Sequence, residues 1–322
     1  MGLNLPSLKT IRELFYVPVP VPSFAGRKVL ITGAASGIGR ATAEAVAAQG
    51  GQLVLTDVQT GALDQVVAEI NGRGGHILYH RPGEISDYEW VAAFAREVEA
   101  EVGVMDVVMN IAGVSAWGPV EKLEHRQWRR MVDVNLMGPI HIIECFVPPM
   151  VRRGDGGQLV NVSSAAGLLA LPWHAAYSAS KFGLRGISEV LRFDLRRHGI
   201  GVCLVCPGAV STPLVDTVEI SGLDRSNPVI QKQIGGFHRI AVTPEQAAQA
   251  ICKGVLRNKF MVYTSFDTRF GFWWARKFAL PYEIVMRIAN NRFDQLARIS
   301  EIGADPRDGS GSQPSVGSRK ND

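Results

Sequence analysis

Short apolar runs alternate with amphipathic stretches along most of the chain. RKVLIT, at 27–32, is followed by a helical pattern over 41–48, and QLVLTD, at 52–57, by another over 62–70. HILYH (76–80) precedes a helix over 88–102, and DVVMN (106–110) one over roughly 128–150. QLVNVSS (158–164) leads into a helix over 176–197, and GVCLVCP (201–207) into a longer irregular insertion. A last run, KFMVYT (259–264), follows a helix that Thr243 caps, with Pro244 at its first position. Strands that read as continuous apolar runs, each followed by a helix, predict a parallel sheet covered on both faces. Seven such strands predict an α/β fold, one doubly wound, mostly parallel, Rossmann-like sheet.

Composition narrows the picture. With 322 residues, 46% of them hydrophobic, the chain can fill a sizeable core. A net charge of +4, evenly spread, does not suggest a nucleic-acid partner. Cys145, Cys203, Cys206 and Cys252 lie in apolar segments, which suits buried thiols in a reducing compartment. The CxxC of Cys203 and Cys206 sits inside a strand-like run, so no metal site is expected there. The lead over residues 1–23 is broken by prolines, and no segment offers about 18 charge-free apolar residues. A cytoplasmic protein that does not span a membrane is the expectation. Residues 303–322 are polar and rich in Gly, Ser and Pro, the composition of a disordered tail.

Candidate chemistry begins where the first strand meets the first helix, in Thr32-Gly33-Ala34-Ala35-Ser36-Gly37-Ile38-Gly39. Glycines there let the backbone turn sharply and approach a pyrophosphate, whose charge a helix N-terminus stabilises. The second strand ends at Asp57, whose carboxylate can accept hydrogen bonds from both ribose hydroxyls and would repel a 2′-phosphate. Like charges about 4 Å apart cost roughly 4 kcal/mol at an effective dielectric near 20. Half of that still gives a tens-fold preference, so NAD is favoured over NADP. Arg40 is the counterweight, unless it is only a surface charge on the first helix.

Tyr177 and Lys181 form YSASK, an i,i+4 pair on one helical face. An ammonium about 5 Å away would stabilise a phenolate by roughly 3 kcal/mol, about two pKa units, bringing a tyrosine into range for proton transfer. Alone, such a pair more often lies on a solvated surface. Ser163 and Ser164 end the fifth strand, where doubly wound sheets bind ligands, and Ser164 could hold a substrate oxygen. Asn135 is an unfavourable residue for a helix interior: either an anchor for a carbonyl and water beside Lys181, or a packing amide.

These motifs occur in the order found in the short-chain dehydrogenase/reductase family, which the chain resembles over roughly residues 24–265. The matching features are TGAASGIG, Asp57, N-x-A-G at 110–113, Asn135, Ser164, YxxxK, and Pro207-Gly208 with Thr212. The resemblance implies an NAD(P)-dependent alcohol dehydrogenase or carbonyl reductase with Tyr177 as general acid/base. Lys181 would bind the nicotinamide ribose, Ser164 would orient substrate, and Asn135 would sustain a proton relay. Pro207, Gly208, Val210 and Thr212 would border the nicotinamide, and Ala112 and Gly113 would pass the adenosine half. Two departures stand out. Ile111 replaces an amide that usually ties neighbouring strands after Asn110, and GEISD replaces the usual aspartate against adenine, with Glu84 at that position and Ile85 against the ring.

The insertion over 213–239 carries Leu214, Val215, Val218, Ile220, Leu223, Ile230 and Phe237, an apolar lid or ordinary core. Trp117, Leu169, Trp173 and His174 are candidates to line the same cleft, and together they suggest a hydrophobic alcohol or ketone. Residues 257–298 hold eight Lys/Arg against three Asp/Glu, with many aromatics; Ile284, Val285, Ile288, Ala289, Phe293 and Leu296 fit one helical face. Such an extension, placed at 266–302, can rest on an anionic membrane surface, but covering the pocket or a subunit interface is the preferred reading. A homo-oligomer is expected by resemblance. A dehydratase or epimerase on the same fold, or a catalytically silent dinucleotide-binding protein, are the competing functions. The first lacks sugar-nucleotide features here, and the second predicts loss of Tyr177, Lys181 or Ser164.

Overall fold

The computed structural model describes residues 21–302 except 224–225, 229, 233–234 and 237–240, so Phe237, most of the lead and the tail lie outside the described residues. The strands are Lys28–Thr32 (β1), Gln52–Thr56 (β2), His76–His80 (β3), Val107–Asn110 (β4), Ala116–Trp117 (β5), Gly157–Val162 (β6), Ile200–Cys206 (β7), Glu219–Ile220 (β8) and Met261–Tyr263 (β9). Seven of them form one sheet in the order β3-β2-β1-β4-β6-β7-β9, and every pairing in it is parallel. The helices are Gly37–Ala47 (α1), Thr60–Gly72 (α2), Tyr88–Glu101 (α3), His125–Val132 (α4), Gly138–Arg153 (α5), Ala175–Asp194 (α6), Pro213–Thr217 (α7), Pro244–Leu256 (α8), Phe266–Lys277 (α9) and Ala279–Ile302 (α10).

The expected fold is the observed one, and the reason is visible strand by strand. Val29 and Ile31 join one core layer with Leu53, Leu55, Val46 and Ile251. Leu30 and Val54, between them, join the opposite layer with Phe94, Ile142 and Met150. A strand buried on both faces has no polar side to show, hence the continuous apolar runs. β3 is the exception: its end residues His76 and His80 are exposed because it is an edge. Val21, within the expected lead, is fully buried in the first layer beside Phe24.

The order reverses at β1, whose neighbours are β2 and β4. Crossovers leave in opposite directions there and open a crevice at the carboxyl ends of the strands. The helix expected over 128–150 is one continuous run from α4 to α5 with a π-helical turn, Asp133–Met137, between them. It is the described helical run with the length and composition to cross a membrane. Its apolar side chains Ile142, Phe146, Val147 and Met150 are buried in the core layer against the sheet. The segment that reads as one apolar face over 284–296 divides: Ile284, Val285 and Ile288 are exposed, whereas Ala289, Phe293 and Leu296 turn inward. Periodicity fixes spacing around a helix, not which arc meets protein.

With isoleucine at 111, the side-chain tie to the neighbouring strand is made by Asn110. Asn110 Nδ2 donates to Asn161 Oδ1 at 2.9 Å, Asn161 Nδ2 to Ser188 Oγ at 3.0 Å, and Ser188 Oγ to the Leu184 carbonyl at 2.7 Å. This buried chain ties β4, β6 and α6 together beneath the site. Asn161→Ala breaks two of these bonds and orphans their partners, which should cost about 2–4 kcal/mol in urea unfolding.

Candidate active site

The glycine loop between β1 and α1 is built by close approach. Gly33 has φ 71°, and a Cβ there would lie 2.6 Å from Ala112 Cα. A Cβ on Gly39 would lie 1.9 Å from the Gly33 carbonyl oxygen. No side chain fits at either place, so the loop lies tight under the start of α1. Asp57, buried at the end of β2, accepts from Ala35 N through Oδ2 and from Gln59 N through Oδ1, each at 3.0 Å. Each oxygen keeps a lone pair for a ribose hydroxyl. Arg40 is turned away, paired with Glu44 at 3.1 Å and Glu69 at 2.6 Å.

These residues face a cavity of about 590 Å³. Its wall includes Gly33, Ser36, Gly37, Ile38, Gly39, Asp57, Glu84, Ile85, Ala112, Gly113 and Thr212. A glycine cradle without room for Cβ atoms, a helix N-terminus and a carboxylate with spare acceptors fit a dinucleotide. Ile85 lines the cavity and also packs against the start of α5, where a Cβ on Gly138 would stand 2.7 Å from Ile85 Cδ1. Asn110 stands behind the wall, in the tie to Asn161. Gly208 and Val210 are on the loop after β7, where Gly208 N donates to Thr264 Oγ1 at 3.3 Å and Val210 bridges to Val242; the Pro207 carbonyl accepts from Ala165 N at 2.7 Å.

Beside the cavity, the π turn places Asn135. Its Oδ1 accepts from Val114 N and its Nδ2 donates to the Val114 carbonyl, each at 2.9 Å. A fully buried amide is thereby satisfied by the loop after β4, and the turn rather than a regular helix interior accommodates it. A Cβ on Gly113 would be 3.0 Å from Asn135 Oδ1 and 3.4 Å from Lys181 Nζ, so both groups converge on one point. Lys181 is 4% exposed and donates to the Val162 carbonyl at 3.0 Å. Ser163 serves the helix, donating to the Lys181 carbonyl at 2.9 Å. Ser164 opens a short turn, accepting from Ala166 N at 3.1 Å, and its hydroxyl is near enough to Tyr177 to favour the phenolate.

The electrostatics differ from the sequence expectation. Burial raises the Tyr177 phenol above its ordinary value, opposed by the hydrogen bond from Ser164. Burial also lowers Lys181, to about 8. Its ammonium is 5.7 Å from the Tyr177 ring centre. In the protein alone the lysine therefore discharges before the tyrosine ionises, and desolvation outweighs the expected two-unit lowering of the phenol.

Residues 27–221 match the family model described as short chain dehydrogenase. The chain belongs to the short-chain dehydrogenase/reductase family. It is 36% identical over 240 residues to the probable oxidoreductase EphD of Mycobacterium tuberculosis, covering 73% of this chain but 40% of EphD. The chain thus spans about two-fifths of that relative's length. Similarity to the putative oxidoreductase SadH of the same organism is 34% over 253 residues, 77% of this chain and 89% of SadH. A short-chain dehydrogenase/reductase from Burkholderia phymatum, solved in complex with NAD, superposes with a TM-score of 0.69 at 26% identity over 90% of this chain and 99% of its own. NAD(P)-dependent oxidoreduction is the chemistry of this family.

Two residues that shape the site in this short-chain dehydrogenase/reductase, Thr32 and Val114, are given no role by the sequence pattern. Thr32 Oγ1 accepts from Ile111 N and Ala112 N at 3.1 and 3.2 Å, joining the glycine loop to β4; a hydroxyl ending a buried strand is its signal. Val114 holds Asn135 through its backbone, so its side chain carries no signal. The insertion begins anchored rather than as a free lid: β8 pairs with β5, Arg126 pairs with Glu219, and Val218 and Ile230 are buried. Trp173 and His174 are buried next to the site; His174 is 4.4 Å from the Trp117 ring and 6.3 Å from Tyr177, between centres. Its Nδ1 donates to the Pro172 carbonyl at 2.6 Å, and burial lowers its pKa, which favours the neutral ring.

The lowered Lys181 sets a stability test. Below pH 8 the folded state carries a charged, buried ammonium that the unfolded chain solvates. Between about 8 and the unfolded value near 10.4 the folded lysine is neutral while the unfolded one still binds a proton, so stability from this group rises with pH. Lys181→Met should therefore raise the denaturation midpoint at pH 7, and its advantage should shrink by pH 10.

Proposed function

We propose that this protein transfers a hydride between NAD and the carbinol carbon of an apolar secondary alcohol or its ketone, with Tyr177 as the general acid/base. The observation that carries the proposal is the convergence of Ser164, Tyr177, Lys181 and Asn135 beside the dinucleotide cavity. When bound, the nicotinamide supplies the hydride acceptor or donor. In oxidation the Tyr177 oxygen takes the hydroxyl proton as the hydride leaves carbon; in reduction it returns a proton to the carbonyl oxygen. Ser164 holds that same oxygen and favours the phenolate. Lys181 contributes positive charge and a donor for ribose hydroxyls, and Asn135 sustains a proton relay beside it. Pro207, Gly208, Val210 and Thr212 border the nicotinamide end, and Glu84 and Ile85 the adenine end.

The preference for NAD rests on Asp57, with Arg40 held by two glutamates and so withdrawn as a phosphate ligand. The apolar substrate reading rests on Trp117, Trp173, Leu169 and the anchored start of the insertion. Exposed Phe182, Val190 and Phe193 on α6 suit pairing of two copies in a homo-oligomer. Free cysteines suit a reducing, cytoplasmic location.

Tyr177→Phe should lower kcat/KM for a secondary alcohol by about 10²–10⁴-fold with NAD affinity nearly unchanged. Activity that survives this change would remove the mechanism. Asp57→Asn should cut the NAD over NADP preference by about tenfold or more, read as the ratio of the two cofactors' kcat/KM.

A further inference from the structure

Helices α9 and α10 each present two apolar faces, and only one is spent on the fold. On the inner side Phe272 packs with Leu168, Tyr282 accepts from Ala170 N at 2.8 Å, and Phe293 lies 5.2 Å from Trp173 between ring centres. The outer side has no protein against it among the described residues. Phe266 is 79% exposed, Trp273 51%, Leu280 68% and Ile288 51%. The outer aromatics form a connected stripe: Phe266 to Phe270 at 6.0 Å, Phe270 to Trp273 at 5.8 Å, and Trp273 to Phe278 at 6.0 Å. Phe278 alone separates the two helices, so the stripe continues into the exposed Leu280, Ile284, Val285 and Ile288.

We propose that this outer face is a docking surface for an anionic lipid bilayer, seating the domain peripherally on the headgroup layer. Scattered exposed apolar residues need no explanation, but a connected stripe of large ones marks an interaction site. Aromatic rings beside aliphatic ones suit the boundary between headgroups and acyl chains. Charge selects the occupant. Arg269, Arg276 and Lys277 are exposed beside the stripe with no carboxylate partner among the described residues, Arg276 lying 5.5 Å over the inner ring of Phe272, and they outnumber the exposed Asp267, the one acidic residue of α9. The acidic Glu283 is taken by Arg287. A second copy meeting this face about a two-fold axis would bring these cations toward their own counterparts, whereas an anionic surface neutralises them. The proposal does not depend on the substrate or on the hydride-transfer reading.

The test is flotation of the full chain with phosphatidylcholine vesicles containing about a third phosphatidylglycerol. The wild type should float with these vesicles and at least tenfold less with phosphatidylcholine alone, and the tryptophan emission should shift to the blue on binding. A Phe270→Ser, Trp273→Ser, Ile284→Ser, Ile288→Ser variant should lose binding at least tenfold while keeping its melting midpoint and alcohol turnover. An Arg269→Gln, Arg276→Gln, Lys277→Gln variant should weaken binding by roughly fivefold per cation removed. Wild type that stays in solution without an emission shift overturns the proposal. So does a serine variant that floats as well as wild type, or one whose only change is a smaller particle by light scattering, which would make the face a contact between copies.

Discussion

Among the described residues no carboxylate balances the buried Lys181, and the site is arranged around that cost. Lys181 is held by one backbone carbonyl, from Val162, and meets Asn135 beside Gly113. An unbalanced ammonium in low dielectric strongly attracts electron-rich groups, and the nearest polar ring is Tyr177. The support is correspondingly rigid: β6 supplies the acceptor, the Asn110–Asn161–Ser188 chain ties that strand to α6, and the π turn fixes Asn135 against the loop after β4. Each part exists in the sequence as an ordinary residue of a strand or helix. Together they keep the cation where solvent cannot.

Much of this is legible in the sequence. The seven strands announce themselves because both faces of the sheet are covered, and the glycine loop because Gly33 and Gly39 admit no Cβ. Asn135 stands out as a poor helix residue, but the π turn that accommodates it depends on Val114 main-chain atoms, which no side-chain pattern encodes. The pKa of Tyr177 is misjudged from sequence because spacing along a helix gives the distance to Lys181 and says nothing of the water removed from both. Thr32 is hidden in plain view, its partners being 79 and 80 residues away.

The C-terminal extension shows the same limit from another side. Its apolar residues read as one face, yet the protein uses one arc to brace the loop leading into α6 and leaves the other outward. Trp173 adopts φ 65°, unusual for a bulky residue, and is held there by Asp294 through its indole at 3.3 Å and by the ring of Phe293. The extension thus braces Trp173, whose neighbour His174 lies 6.3 Å from Tyr177 between ring centres.

The proposed role of Tyr177 requires that its phenol, raised by burial in the protein alone, ionise more readily when NAD fills the cleft. Its most direct test is ultraviolet titration of the phenol, taken as the difference between wild type and Tyr177→Phe, with and without saturating NAD. Ionisation is expected above the ordinary tyrosine value in the protein alone, with a clear downward shift, by about two pH units, when the positively charged nicotinamide is added. A phenol that titrates at the same pH in both states would contradict it.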